Sequence, residues 1–129
     1  HLGGWESSGP LGPAARSRET CPDKLIGRSC HTASEVWECA EAGLDYVTLS
    51  PVFESKSKSY PHVPVEESEV RGAAGAPVLV YTLGGVTPER ILPVRSAGVF
   101  GVAVMGDICR SKRPGLKVEA FIAALDAVG

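Results

Sequence analysis

A chain of 129 residues with 43% hydrophobic and 22% charged side chains has the composition of an ordinary globular protein, long enough for one domain with one core. Its formal charge of -2 at pH 7, with three Phe, two Trp and three Tyr, supplies neither the basic field nor the stacking platforms of a nucleic-acid binder. No apolar stretch nears the roughly 18 residues of a membrane span, and no charged-then-apolar leader opens the chain, so a cytoplasmic location is expected.

The four cysteines, Cys21, Cys30, Cys39 and Cys109, lack the C-x-x-C spacing of a zinc site and are too sparse for a disulfide scaffold; free thiols are expected. Cys30 adjoins His31, but neighbours on a strand point to opposite faces, so adjacency does not make them a thiolate and its base. The chain starts at His1 rather than at an initiator Met, which leads us to expect missing upstream sequence.

In chain order, "KLIGRSC" (24–30) reads as the first strand. A helix start follows at Thr32, where T-A-S-E puts a hydroxyl three residues before Glu35 as a capping box. Val36, Cys39 and Ala40 then recur at core-facing spacing, and Gly43 closes the helix. "DYVTLSPV" (45–52) reads as the second strand, and "VEESEVRGAA" between Pro64 and Gly75 as a weak, short helix. After the third strand, "PVLVYTLG" (77–84), Thr87 and Pro88 give a second helix start, with Ile91, Val94 and Arg95 continuing it, Pro93 shortening or kinking it, and Gly98 ending it. "FGVAVMG" (100–106) is the fourth strand. "LKVEAFIAALDAVG" is the cleanest amphipathic helix, with Leu116, Ala120, Phe121, Ala124 and Leu125 on one stripe.

The strands are apolar on both parities, the mark of burial on both faces. "EAGLDYV", "AAGAPVLV" and "SAGVFGVAV" repeat one device, in which Ala-Gly ends a helix and an apolar strand follows. An α/β fold of parallel strands joined by right-handed helical crossovers is therefore expected.

In such a fold, sites form beyond the carboxyl ends of the strands. Four loops qualify: Ser29 to His31, Ser50 to Lys58, Gly84 to Thr87, and Met105 to Asp107. In "SPVFESKSKSYP" (50–61), Ser55, Lys56, Ser57, Lys58 and Ser59 alternate hydroxyl with ammonium, which suits either a solvated loop or an anion cradle. "LGGVTPE" puts Gly84 and Gly85 between a strand and a helix start, where backbone N–H groups can approach a phosphate and a helix N-terminus favours negative charge by about 0.3–1 kcal/mol. The "MGD" turn offers the same through Met105 and Gly106, and phosphate held by the last two loops of a (β/α)8 barrel is a recurring arrangement.

Taken together, "IGRSCHTASE", "AGLDYVTLSPVFESKSK", "LGGVTPERI" and "AGVFGVAVMGDI" resemble, in order and spacing, the thiamine phosphate synthase family and its sister, the thiazole tautomerase. The likeness runs from about residue 24 to residue 110, and "HLGG" at the start is similar to the family's "HxGQ" strand end. The resemblance implies the C-terminal half of a TIM (β/α)8 barrel, from the fourth strand end through the eighth strand. Residues 1–129 would then be a single partial domain whose upstream strands are missing. It also implies a transferase of thiamine biosynthesis that joins hydroxymethylpyrimidine diphosphate to a thiazole phosphate with Mg2+, giving thiamine phosphate and pyrophosphate.

By position, Lys58 matches the family's pyrophosphate lysine and Ser29 a serine beside the pyrimidine diphosphate; these two are the expected catalytic residues. Ser55 and Ser57 stand where the family has "TxT" hydroxyls, and Gly85, Met105 and Gly106 fall where backbone amides hold the thiazole phosphate; these five are the expected substrate-binding residues. Ser50 replaces the glycine usual in "LGPVF", Gly106 replaces a common serine, and the segment from Lys58 to Pro77 is short for the family. The family's basic pyrimidine-site residues and one Mg2+ aspartate have no counterpart, and Glu6, aligned with the other metal carboxylate, is not counted as a ligand.

A tautomerase would need a histidine where Pro51 stands. His31 reads as a hydrogen-bonded strand-end residue, His62 as loop surface, and Asp45 and Asp107 as turn or cap residues. A reading of a different class is a non-catalytic phosphate-binding remnant or regulatory module. Half a barrel leaves two open sheet edges, which a missing half-barrel or a second copy would cover.

Overall fold

The computed structural model describes residues 11–54 and 63–129. Four strands, β1 (Gly27–Cys30), β2 (Tyr46–Leu49), β3 (Leu79–Leu83) and β4 (Gly101–Ala103), form one sheet in sequential order. Every pairing is parallel, with Gly27 beside Tyr46, Tyr46 beside Leu79, and Tyr81 beside Gly101. The intervening helices are α1 (Leu11–Thr20), α2 (Ala33–Glu41), α3 (Glu67–Ala74), α4 (Ile91–Ser96), α5 (Gly106–Cys109) and α6 (Pro114–Val128). The strands are shorter than their apolar runs, because residues such as Ile26 and Val52 are buried in connections rather than in the ladder.

Alternation along the strands separates two faces. Val47, Leu49, Val80 and Cys30 join Val36, Cys39, Val70, Ala73, Ile91 and Val94 in one core under the helices. The other parity carries Tyr46 and Tyr81, whose rings meet edge to face at 6.3 Å, and Phe100 adds a second such contact with Tyr81 at 5.4 Å. Gly27 lies beneath the Tyr46 ring, where a Cβ would come within 2.2 Å of it.

The start of α2 has the expected cap with one change. Thr32 Oγ1 accepts the Glu35 N–H at 3.2 Å, but Glu35 Oε2 accepts the His31 N–H, one residue before the N-cap, at 2.6 Å. Glu69 of α3 also accepts the Ala33 N–H at 2.7 Å, so a neighbouring helix completes the cap. Gly43, at φ 72, turns the chain out of α2 into β2.

Two helical expectations are corrected. Thr87 occupies the N-cap position without a side-chain capping bond, and the segment begins as a 3-10 turn over Pro88–Arg90 before the six residues of α4. Pro93 inside so short a helix limits its ladder. In α6, Phe121 is buried and Ala124 and Leu125 pack on the core, but Leu116 and Ala120 are exposed. The helix touches α4 and α5 and so buries only the later part of its stripe.

α1, which the sequence pattern does not announce, is pinned through Arg18. Its guanidinium donates to the Lys24 and Gly43 carbonyls and to Asp45 Oδ2, the last at 2.8 Å. Asp45 Oδ2 also accepts the Ile26 N–H at 2.6 Å, and that bond, reinforced by Arg18, holds its carboxyl below the ordinary range. A group whose folded pKa is depressed contributes stability above its unfolded pKa and loses it as pH falls through the folded value. Asp45→Asn is therefore expected to lower stability near neutrality and to flatten the decline below about pH 4, as read by urea unfolding across pH.

Candidate phosphate site at the carboxyl edge of the sheet

Because the strands are parallel, their carboxyl ends share one edge, and the loops after β2 and β3 are joined there by backbone bonds. The Val52 N–H donates to the Leu83 carbonyl at 3.0 Å and the Phe53 N–H to the Gly84 carbonyl at 3.1 Å. This approach leaves no room for side chains on the glycine pair. At Gly84 (φ 100) a Cβ would lie 2.8 Å from Pro51 Cβ, and at Gly85 (φ 63) it would lie 2.4 Å from the Glu54 carbonyl oxygen.

Beside the glycine pair opens a cavity of about 740 Å³ whose walls include Glu54, Gly84, Gly85 and Thr87 on one side and Met105, Gly106 and Asp107 on the other. The structure thus brings Gly85, Met105 and Gly106, three of the expected binding residues, to one cavity. Ser29 is not part of that wall; it sits half-buried on β1, where its hydroxyl accepts from Thr48 Oγ1 at 3.4 Å. Ser55, Ser57 and Lys58 lie outside the described residues, as does His62. They follow Glu54, which is itself on the cavity wall.

The short helices weaken one part of the expected chemistry. The 3-10 turn after Gly85 and the four residues of α5 after Met105 give little macrodipole, so attraction for an anion has to come from amides and side chains. Arg90 and Arg110 supply cations, whereas Glu54, Glu89 and Asp107 supply carboxylates. Asp107 pairs with Lys117 at 3.3 Å, and hydrogen bonds from Thr87 and its own backbone N–H hold the Glu89 carboxyl below its ordinary range. With two arginines against three carboxylates in the wall, a polyanion needs further cations, and Lys56 and Lys58 follow Glu54 in the chain.

Arg90 is the site residue that sequence reasoning misses. Its Nη1 donates to the Gly85 carbonyl at 2.7 Å and its guanidinium lies 4.8 Å from the centre of the Phe53 ring, tying both loops together. Its place five residues after Gly85 was the available signal. Arg90→Ala is expected to cost less than about 1 kcal/mol of stability, since the residue is exposed, yet to weaken phosphate binding by about three- to tenfold. Urea unfolding and calorimetric titration of the same variant check the two halves of this expectation.

His31 is the hydrogen-bonded strand-end residue that the sequence suggests. Its Nδ1 lies 2.7 Å from the Ser50 carbonyl, and since a carbonyl only accepts, Nδ1 carries the proton. Asp45 acts in a turn, as described above. Among the described residues, no group of three or more His, Cys, Asp or Glu converges to hold a metal ion, and no helix is long and apolar enough to cross a membrane.

Residues 1–108 match the protein family described as thiamine monophosphate synthase. The thiamine biosynthesis bifunctional protein ThiM/ThiE of Symbiobacterium thermophilum is 37% identical over 112 residues, which are 84% of this chain and 23% of that protein. A thiamine-phosphate synthase of Salinibacter ruber is 32% identical over 108 residues, covering 83% of this chain and 48% of that protein. Among solved structures, a thiamine phosphate pyrophosphorylase from Pyrococcus furiosus superposes with a TM-score of 0.82 at 21% identity, over 98% of this chain and 58% of that one, a likeness of fold. The chain therefore spans about half, or less, of the length of these curated relatives.

Proposed function

The chain belongs to the thiamine monophosphate synthase family, and on that premise we propose that it forms the phosphate-holding, C-terminal half of a (β/α)8 transferase. The reaction is the coupling of hydroxymethylpyrimidine diphosphate with thiazole phosphate. The bond from the pyrimidine methylene carbon to the diphosphate oxygen breaks, a bond from that carbon to the thiazole nitrogen forms, and pyrophosphate leaves. The observation that carries this reading is the cavity shared by Gly85, Met105 and Gly106, with Glu54 leading from its wall into Ser55, Ser57 and Lys58.

In this reading, amides at Gly85 and Gly106 hold the thiazole phosphate. Ser55 and Ser57 donate to phosphate oxygens, and Lys58 offsets the charge that develops on the leaving pyrophosphate. Mg2+ belongs to the expected reaction, but the described residues do not by themselves build its site. The remaining strands would come from a missing half-barrel or a second copy, and the expected setting is the cytoplasm.

One observation favours a second reading, a phosphate-binding module without turnover: Ser29, expected to act on the pyrimidine diphosphate, is not part of the cavity wall. Calorimetric titration with thiazole phosphate and with pyrophosphate, on the parent chain and on Lys58→Ala, tests the site. Thiazole phosphate is expected to bind both, and pyrophosphate to bind Lys58→Ala about tenfold or more weakly, the scale of a charge-assisted hydrogen bond. Turnover upon adding the complementary half-barrel would separate the transferase from the module. No binding of either anion by folded chain would overturn both readings.

A further inference from the structure

Cys30 and Cys39 form a cluster that the phosphate site does not use. Cys30 ends β1 and Cys39 lies on α2; both are fully buried, and their sulfurs are 3.7 Å apart. A disulfide needs its sulfurs about 2.05 Å apart, so closure requires a further approach of the two side chains. Cys21 and Cys109, by contrast, are exposed.

The surroundings favour one thiolate in this pair. Arg28, two residues before Cys30 on the same strand parity, carries a buried Nη1 with no hydrogen-bond partner. The hydrogen bond with Cys30 lowers the Cys39 pKa to about 7, burial opposes this, and Arg28 adds to the lowering. The same hydrogen bond and burial push Cys30 up, so Cys39 is the nucleophile and Cys30 the resolving thiol.

We propose that Cys30 and Cys39 are a reversible redox site that closes to an intramolecular disulfide when local opening of α2 admits a hydroperoxide. The Cys39 thiolate attacks a peroxide oxygen, the O–O bond breaks, and hydroxide leaves as water once protonated, giving a sulfenic acid. The Cys30 sulfur then attacks the Cys39 sulfur, the S–S bond forms as the S–O bond breaks, and the departing hydroxyl takes the Cys30 proton as water. In sum, two thiols and one hydrogen peroxide give one disulfide and two waters. The position links this chemistry to the functional edge, because the Cys30 carbonyl accepts the Ser50 N–H at 3.0 Å and His31 holds the Ser50 carbonyl.

The test uses the full chain with Cys21→Ser and Cys109→Ser, both at exposed positions, alongside the parent chain. Each is treated with stoichiometric hydrogen peroxide, alkylated and digested with trypsin. The tryptic peptide from Ser29 to Lys56 contains Cys30 and Cys39 and neither other cysteine. The expected result is loss of two hydrogens from that peptide in both proteins, reversal by dithiothreitol, and several-fold slower loss near pH 7 in Arg28→Met, where the lost cleavage site extends the same peptide to Leu25–Lys56. Alkylated Cys30 and Cys39 after oxidation of folded chain, or Cys39 sulfinic acid with Cys30 still a free thiol, would overturn the proposal.

Discussion

Gly85→Ala is expected to destabilise the protein by about 2–5 kcal/mol and to abolish phosphate binding in the chain that remains folded. Two costs combine. At φ 63 an alanine occupies the left-handed region at about 1–2 kcal/mol. Its Cβ would also lie 2.4 Å from the Glu54 carbonyl oxygen and 2.8 Å from Phe53 Cβ, an overpacking worth about 1–3 kcal/mol. Relief of that clash separates the loops after β2 and β3, and with them the cavity wall. Gly43→Ala is the internal control, since Gly43 has φ 72 but nothing within 4 Å of its added Cβ. It should show the conformational cost alone, about 1–2 kcal/mol, and leave binding intact. Urea unfolding and phosphate titration of both variants separate strain from steric loss.

Leu49→Ala carries the second large effect, a loss of about 2–5 kcal/mol. Leu49 is fully buried at the carboxyl end of β2, in register with Cys30 on one side and Thr82 on the other. The cavity it leaves would be flanked by strand backbone already fixed by two ladders, which limits collapse and moves the cost toward the upper part of that range. The loop from Ser50 to Glu54 starts from this residue, so loosening here should also weaken anion binding. Leu25, 77% exposed, is the matched control, and Leu25→Ala should change stability by less than about 0.5 kcal/mol.

What could be read from the sequence follows from which interactions are local. The apolar runs and Ala-Gly junctions announce all four strands and the parallel sheet, because both-face burial leaves a compositional mark on each strand by itself. Parallel order then suffices to place Gly85 and Gly106 at one edge, and the cavity between them needs no further knowledge. Arg90 is different: its role depends on how the Phe53 loop folds back onto Gly85, a contact between segments more than 30 positions apart. The Cys30–Cys39 contact was hidden in the same way, since spacing along the chain drew attention to His31 while the helix brought Cys39 to the strand. α1 lacks an apolar period, and its anchoring by Arg18 to Asp45 is tertiary. In α6 the periodic stripe is longer than the surface available to bury it, so pattern overstates the core at Leu116 and Ala120.

The central claim is that the edge between β3 and β4 holds a phosphate. Amide chemical-shift mapping of the 15N-labelled chain during titration with thiazole phosphate tests it most directly. The account predicts saturable shifts at Gly85, Val86, Gly106 and Asp107, with none at Gly43 and Gly98, positive-φ glycines at the helix ends that lead into β2 and β4. Shifts that leave Gly85 and Gly106 unmoved in a well-dispersed, folded spectrum would contradict it.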